Sequence, residues 1–256
     1  MKTYTITPVC AGVFQGAEKS NFAYQKDPGV KLKAPILMYL VQGNGLCMLV
    51  DTGCSDGEWA ARYHHPLVQT EEMKPVNALR KLGVEPEDVQ IIVNTHLHWD
   101  HCFHNDKFPN AKIYVQKREI QFAVCPIPTQ YVYYESPQIH LTPSWVRAMD
   151  RMEIIDGDLQ LCEGIDILLC PGHTPGFQCV LVNTTDGPFL ITSDSTGVKE
   201  AWQDRQTAGL PTPSGIHVNL EEYYETIRRI YPLADQEHIL PGHDPAVLEH
   251  SVYPYK

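Results

Sequence analysis

The segment Asn94–Cys102 reads NTHLHWDHC and contains four side chains of metal-ligand type within six residues, His96, His98, Asp100 and His101. Side chains two residues apart in an extended segment point to the same side, so His96 and His98 can bind one ion. Asp100 and His101 follow them and can reach a second ion beside the first. Burying four such groups without a cation would cost desolvation and repulsion between charged imidazoles, so the pattern predicts a metal site.

Three later segments each end a predicted strand on a further side chain that can bind a metal. LLCPGHTPG places His173 in a turn rich in Pro and Gly, FLITSDSTG carries Asp194, and HILPGHD carries His243. Five His and two Asp suit two borderline divalent ions with one carboxylate between them. Zinc is the expected metal, and iron, manganese and cobalt are the alternatives.

Two batches of short apolar runs, each with one helix, must position these ligands. The first batch contains PILMYLVQ, LCMLVDTG, the helical MKPVNALRKLG, VQIIVNT and KIYVQ. The second contains DILLCPG, QCVLVNT, PFLITSD, the helical NLEEYYETIRRIY and HILPGHD. Two sheets packed together with helices outside would bury the apolar faces of both batches. We expect a single domain over residues 1–256, in which the segment 125–152, rich in Pro and aromatics, is a lid or a substrate loop.

The composition excludes several classes of partner. With 256 residues and a formal net charge of −11, the chain is expected to repel nucleic acid and anionic membrane surfaces. The apolar runs fall short of the ~18–20 residues of a membrane span, and the N-terminus lacks the apolar run of a signal peptide. The eight cysteines form no CxxC pair, which favours reduced thiols and a cytoplasmic location over a disulfide framework.

The motif THLHWDH, followed by His173, Asp194 and His243, resembles the metal-binding pattern of the metallo-β-lactamase superfamily. LVDTG, PGHTPG and GHD are further signatures of that superfamily. The resemblance implies an α+β, four-layer αβ/βα sandwich, with two mixed β-sheets face to face, helices outside and a dinuclear site at one edge. It also implies that Asp51 supports the site from behind the ligands.

The same resemblance divides the ligands between two ions. It gives one ion to His96, His98 and His173. It gives the other ion to Asp100, His101 and His243. Asp194 is then the carboxylate that bridges the two ions.

Within the superfamily, the HLHWDH core, the chain length and the layout are most similar to the N-acyl-homoserine-lactone lactonase group. This implies a metal-dependent hydrolase that opens a lactone or related cyclic ester, with a small-molecule lactone or ester as its partner and a homodimer as an option. Other uses of the same site stay open: a thioesterase of the glyoxalase II kind, a phosphodiesterase, or oxidation chemistry with iron. Purely structural metals are disfavoured, because structural zinc sites are usually closed and rich in thiolates.

Two residues are predicted to be catalytic, Asp100 and His217. Asp100 is expected to donate a proton to the leaving alkoxide. The lactonase group carries a Tyr three residues after the bridging Asp, where it contacts the substrate carbonyl, but this chain has Gly197 there. Another donor is therefore expected, and His217 in PSGIHVN is the main candidate. The alternatives are three tyrosines of the segment 125–152: Tyr131, Tyr133 and Tyr134.

Overall fold

The computed structural model describes residues 2–203 and 209–255. Its first sheet has seven strands: β1 (Thr5–Glu18), β2 (Lys31–Gly43), β3 (Leu46–Val50), β4 (Leu67–Val68), β5 (Ile91–Val93), β6 (Lys112–Gln116) and β7 (Met152–Ile155). They lie in the order β4-β1-β2-β3-β5-β6-β7. Strands β3, β5, β6 and β7 run parallel to one another, whereas β4, β1, β2 and β3 pair antiparallel.

The second sheet has five strands: β8 (Leu159–Cys162), β9 (Ile165–Leu169), β10 (Gln178–Thr184), β11 (Gly187–Ser193) and β12 (Ile239–Pro241). They lie in the order β12-β11-β10-β9-β8, and β12 is the one strand that pairs parallel to its neighbour. Both sheets are thus mixed, as predicted.

Seven α-helices connect the strands: α1 (Lys19–Phe22), α2 (Gly57–Tyr63), α3 (Pro75–Lys81), α4 (Trp99–Cys102), α5 (Lys117–Val124), α6 (Lys199–Gln203) and α7 (Leu220–Ile230). Helices α3 and α7 lie within the two segments that the sequence predicts to be helical. Asn219 begins α7, because its side chain accepts hydrogen bonds from the amides of Glu221 and Glu222. Within the described ranges, none of these helices has the length and apolar content needed to cross a bilayer.

Strand β2 shows how the layers are built, because its alternate residues enter two different cores. Leu37 and Tyr39 pack between the sheets, with Ile167 and Val180 of the second sheet. Met38 and Leu40 point the other way, into a cluster that includes Leu79 of α3 and Ala123 of α5. Trp202 of α6 and Ile230 of α7 cover the outer face of the second sheet in the same way. The order is therefore helix, sheet, sheet, helix, and the predicted four-layer sandwich is confirmed.

The longest strand, β1, was not among the predicted ones. It is 14 residues long, and its pairing with β2 shifts register between Cys10 and Gly12 and again between Gln15 and Ala17. Such bulges interrupt the period-two alternation on which strand prediction depends. The irregular end of β1 matters for function, because it forms part of the cavity described below.

Candidate active site

The seven predicted metal ligands follow the carboxyl ends of strands from both sheets. His96 and His98 lie in the loop after β5, and helix α4 then carries Asp100 and His101. His173 follows β9, Asp194 follows β11, and His243 follows β12. None of the seven residues is more than 8% exposed. The structure thus brings every predicted ligand to one edge of the sandwich.

The ligand atoms form three overlapping groups in which all atoms lie within 4.8 Å of one another. The groups are His96, His98 and His173; His96, His101 and Asp194; and Asp100, His101 and His243. Asp194 lies between the first and last groups. Its Oδ1 is 3.4 Å from His101 Nε2 and 3.1 Å from His243 Nε2, and its Oδ2 is 3.5 Å from His173 Nε2. The two oxygens of one carboxylate therefore face the two halves of the cluster.

Each of the five histidines has one ring nitrogen tied to a group outside the cluster. Four of them use Nδ1: His96 with Thr95 Oγ1 (3.0 Å), His101 with Asp51 Oδ2 (2.9 Å), His173 with Ile216 O (2.6 Å) and His243 with Pro35 O (2.9 Å). His98 instead uses Nε2, which is 3.0 Å from Gln130 Oε1. Outer partners of this kind fix the tautomer and ring orientation of metal-ligating histidines. The remaining nitrogen of every ring faces the cluster.

Three buried atoms of the cluster have no hydrogen-bond partner: His96 Nε2, His101 Nε2 and Asp194 Oδ1. The contacts of Asp194 Oδ1 with the two imidazoles are short, but they lack hydrogen-bond geometry. Buried polar atoms are almost always satisfied in native proteins, so three unsatisfied atoms that face one another need an explanation. Divalent cations would satisfy all three, and the donor set of nitrogen and oxygen atoms fits a dinuclear metal site.

The charge states of three members of the cluster, His96, His98 and Asp194, also suit cations. Burial, together with the neighbouring imidazoles, holds the pKa of His96 and His98 well below 6.5, so both rings are neutral. Burial alone would raise the pKa of Asp194, but His243 and His101 outweigh it and hold that pKa well below 3.8. Neutral imidazoles and an ionised carboxylate are the forms that bind metal.

Asp51 lies behind the cluster and is 1% exposed. Its Oδ1 accepts a hydrogen bond from the Thr95 amide (2.8 Å), and its Oδ2 accepts from Thr95 Oγ1 (2.8 Å) and His101 Nδ1 (2.9 Å). Burial alone would lower the pKa of His101, but Asp194, Asp100 and Asp51 raise it well above 6.5. A cation at His101 Nε2 therefore competes with a proton. These contacts agree with the supporting position that the resemblance implies for Asp51.

The cluster forms the floor of a cavity of about 140 Å³. His98, Asp100, His173, Asp194 and His243 line this floor. The cavity wall is mainly aromatic and apolar and includes Phe14, Phe22, Trp99, Tyr133 and Ile216. Glu18 and Lys31, which form an ion pair, also line the cavity. An open cavity with a mainly apolar wall and a polar floor is typical of a small-molecule site.

A family model described as the metallo-beta-lactamase superfamily matches residues 34–243. The chain belongs to this superfamily. It is 33% identical to an N-acyl homoserine lactonase of a Bacillus species over 187 residues, which cover 69% of this chain and 70% of that protein. It is 29% identical to the N-acyl homoserine lactonase AiiA of Bacillus thuringiensis subsp. kurstaki over 227 residues, covering 85% of this chain and 84% of that one.

Solved structures of lactonases share the fold over the whole chain. One is an N-acyl homoserine lactone hydrolase with its product N-hexanoyl-L-homoserine bound at the catalytic metal centre. It has a TM-score of 0.78 and 26% identity, and the match covers 100% of this chain and 99% of that one. A B. thuringiensis AiiA mutant with N-decanoyl-L-homoserine at its active site also has a TM-score of 0.78, with 27% identity and the same coverage. The predicted likeness to the lactonase group is confirmed.

Gly197, at the position where the resemblance to the lactonase group implies a Tyr, packs closely against Phe22. A Cβ atom on Gly197 would lie 3.1 Å from Cδ1 and 3.2 Å from Cβ of Phe22. The Phe22 ring in turn packs on His243, with 5.1 Å between ring centroids. Phe22 of α1 would therefore have to shift by a few tenths of an ångström to admit a Cβ at position 197.

His217, the main predicted replacement donor, is not among the described residues that line the cavity. Its Nδ1 is 3.0 Å from Ser214 O, and its ring packs edge-on against Tyr24. Tyr134 is engaged elsewhere, because its hydroxyl donates to Glu119 (2.6 Å). Tyr133 does line the cavity, with its ring centroid 5.1 Å from that of His98. Of the four predicted candidates, Tyr133 alone is among the described residues that line the cavity.

The segment 125–152 is hydrogen-bonded to residues of the site. Gln130 binds His98, and the Trp99 amide donates to Tyr133 O (2.9 Å). Glu135 accepts hydrogen bonds from Trp59 Nε1 (2.7 Å) and from an amide of its own segment. These contacts hold the segment against the loop that carries His98 and against helix α2.

Sequence reasoning missed three residues that hold the ligand loops. Gln130 and Glu119 lie in segments without a motif, and a single polar residue there gives no signal in one sequence. Tyr223 has the helical spacing of a packing residue in α7, and it is indeed buried. Its hydroxyl, however, lies 2.6 Å from Ser195 O and 3.0 Å from Asp194 O, so it also holds the turn that carries Asp194.

Proposed function

We propose that this protein is a dinuclear metal-dependent lactonase that hydrolyses N-acyl homoserine lactones. The main observation is the convergence of seven buried ligands, each with an atom facing inward, on the floor of an open apolar cavity. The relatives named as N-acyl homoserine lactonases support the choice of substrate. The apolar wall suits an acyl chain, while the polar floor suits the lactone ring.

The ligand assignment follows the geometry of the cluster. His96, His98 and His173 would hold one ion, Asp100, His101 and His243 the other, and Asp194 would bridge them. Zinc is the proposed metal, because histidine-rich sites of borderline donors favour it. Two such ions would supply hydroxide at neutral pH and would polarise the lactone carbonyl.

Asp100 is the proposed proton donor to the leaving group. Its Oδ2 faces the cluster, 3.6 Å from His101 Nε2 and 3.9 Å from His243 Nε2. Its Oδ1 makes neither contact, and Asp100 lines the cavity. Hydroxide would add to the carbonyl carbon, and collapse of the tetrahedral adduct would break the ring C–O bond. The Asp100 carboxylate would take the proton of the added hydroxyl and pass it to the leaving alkoxide. The product would be the carboxylate of an N-acyl homoserine.

Tyr133 is the proposed donor to the carbonyl oxygen of the substrate. Its hydroxyl makes no hydrogen bond to any described residue, although the side chain is partly buried at the cavity wall. Burial, and then the charge of Asp100, raises the pKa of Tyr133, so the hydroxyl keeps its proton at neutral pH. A protonated phenol beside the floor can donate to a carbonyl oxygen as charge develops on it.

A substrate panel tests the reaction class. We expect purified protein with its metals to release one proton per N-acyl homoserine lactone opened, and to hydrolyse thioesters and phosphodiesters much more slowly. Faster turnover of a glutathione thioester or of bis-p-nitrophenyl phosphate would support the thioesterase or the phosphodiesterase instead. Iron in the purified protein together with oxygen uptake would favour oxidation chemistry.

The location of the enzyme is proposed to be the cytoplasm. All eight cysteines are free thiols in the structure, and half of them are buried. Reduced cysteines are typical of cytosolic proteins. Cell fractionation with an antibody against the protein tests this proposal.

A further inference from the structure

Glu119 of helix α5 is fully buried, and its carboxylate accepts four hydrogen bonds from three segments. Its Oε1 accepts from the Leu97 amide (2.9 Å) and the Tyr134 hydroxyl (2.6 Å). Its Oε2 accepts from the Thr174 hydroxyl (2.6 Å) and the Gly176 amide (3.2 Å). Glu119 is neither a metal ligand nor a cavity residue, so the proposed reaction gives it no direct part.

The donors to Glu119 lie next to particular ligands. Leu97 stands between His96 and His98, and Thr174 directly follows His173. These three histidines form one of the ligand groups of the cluster. The hydrogen bonds of Glu119 therefore fix the backbone that carries the ligands of one ion.

The other half of the cluster has a different anchor. The described hydrogen bonds link Glu119 to no neighbour of Asp100, His101 or His243. His101 instead donates to Asp51 (2.9 Å), and the Nδ1 of His243 is held by a backbone carbonyl. Asp51 also accepts from Thr95, whose hydroxyl contacts His96 Nδ1 (3.0 Å), so Asp51 supports ligands of both halves, whereas Glu119 supports only the half of His96, His98 and His173.

The approach of Glu119 to the loop of His173 depends on a glycine. A Cβ atom on Gly176 would lie 2.1 Å from the backbone nitrogen and 2.5 Å from the Cα of Glu119. No side chain fits at that distance, so the turn PGHTPG and the start of α5 are in direct backbone contact. This contact brings the Glu119 carboxylate within hydrogen-bond distance of the Thr174 hydroxyl and the Gly176 amide.

We propose that Glu119 is a positioning residue that controls binding of the ion held by His96, His98 and His173, whereas Asp51 acts on both ions through Thr95 and His101. The inference rests on the proposed dinuclear site. A ligand binds a metal well only if its ring is already directed at the ion, and losing an outer partner typically costs ~10–100-fold in metal affinity.

The variant Glu119→Gln tests this with little change in volume. Its amide replaces one carboxylate oxygen with an NH₂ group. The hydroxyls of Tyr134 and Thr174 can rotate to accept from that group, but the amides of Leu97 and Gly176 can only donate. In either orientation of the amide, one backbone N–H therefore loses its acceptor.

The readout is metal binding, measured separately from activity. Protein loaded with zinc is equilibrated with increasing chelator, and the metal retained per chain is determined. We expect Glu119→Gln to lose one ion at a chelator concentration ~10–100-fold lower than wild type does. It should lose the other ion at the same chelator concentration as wild type. Asp51→Asn should weaken binding of both ions, and Thr174→Val should weaken binding of the same ion as Glu119→Gln by a smaller factor.

Glu135→Gln is the matched control, because Glu135 is also a buried glutamate with several donors, but none of these donors belongs to a residue next to a ligand. It should retain both ions with wild-type affinity. The melting temperature of each metal-free variant shows whether the fold is intact. If Glu119→Gln does not fold, Thr174→Val decides the question by the same criterion.

Two results would overturn the inference. Wild-type affinity for both ions in Glu119→Gln, with only a lower melting temperature, would mean that Glu119 serves the fold alone. Equally weakened binding of both ions in Glu119→Gln would mean that Glu119 does not act specifically on the ligands His96, His98 and His173. Failure of the proposed function is distinguishable, because it would appear in wild type itself as fewer than two ions or no lactone hydrolysis.

Discussion

The ligand cluster and the wall of the cavity belong to one site but are built differently. Every histidine of the cluster has one ring nitrogen fixed by a directional hydrogen bond, as for His96 and His98. In the wall, Phe14 and Phe22 pack by apolar contact, and the Tyr133 hydroxyl has no hydrogen bond to any described residue. Directional bonds specify one geometry, whereas apolar contacts tolerate changes of similar volume. The cluster should therefore decide the reaction, and the wall should decide the substrate and its orientation.

The largest effect is expected from Asp194→Asn in the cluster. An amide cannot offer two charged oxygens to two ions, so both metal content and activity should fall. We expect lactone turnover to drop by at least about 10³-fold, beyond the typical loss from one oxyanion donor. Metal analysis and kinetics measure this, with Asp166→Asn on β9 as a control that should change neither. Retention of two ions and activity would show that the bridge lies elsewhere.

A smaller effect is expected from Tyr133→Phe in the wall. Removing the hydroxyl should lower kcat by ~10²–10³-fold, because the carbonyl oxygen loses a donor in the transition state. Metal content should stay at the wild-type level, which separates the wall from the cluster. Tyr131→Phe is the matched control, since Tyr131 is not among the described lining residues. An unchanged kcat in Tyr133→Phe would mean that the metals alone polarise the carbonyl.

Residues that support the cavity wall from behind, such as Glu135, should affect the free energy of unfolding more than the rate of hydrolysis. Glu135 accepts from Trp59, and His64 beside it stacks on Trp99 with ring centroids 4.0 Å apart. Burial alone would raise the pKa of Glu135, but the bonds from His64 and Trp59 hold that pKa below 4.5. Because the folded pKa is lowered, its stabilisation is present above pH 4.5 and is lost as pH falls through the lowered value.

We therefore expect Glu135→Gln to lower the free energy of unfolding by about 1–3 kcal/mol at neutral pH. The difference from wild type should shrink as the pH falls below the ordinary pKa of the glutamate. Urea unfolding of both proteins across this pH range measures it. A difference that stays constant with pH would show that the ionised carboxylate contributes nothing.

The smallest effect is expected from His217→Ala. His217 packs on Tyr24 outside the cavity lining, so its loss should change kcat by no more than about twofold to threefold, the range of an ordinary surface substitution. Steady-state kinetics on the lactone that turns over best measures it. A decrease in kcat as large as that expected for Tyr133→Phe would indicate that His217 donates to the carbonyl oxygen.

The two regions also differ in how far the sequence predicted them. Ligands such as His173 and His243 were predicted from the amino-acid sequence because each stands at a strand end beside a recurring turn of Pro and Gly. The fold followed from the eight predicted strands; β1, whose bulges hide its alternation, and the short strands β4, β7 and β8 were not predicted. The wall was less predictable: Phe22 gives no signal in the sequence, and Tyr133 could not be ranked above the other candidate donors, because only the tertiary structure brings such residues to one cavity. Position 197 shows the reason: the glycine is visible in the sequence, but the phenylalanine packed against it is 175 positions away.

Titration of the metal-free protein with zinc shows whether lactone hydrolysis requires two metal ions per chain. Lactone hydrolysis is followed while zinc is added in fractions of an equivalent per chain. A dinuclear hydrolase should gain activity until about two equivalents are bound and then level off. Full activity at one equivalent of zinc, or equal hydrolysis by the metal-free protein, would contradict the proposed dinuclear mechanism.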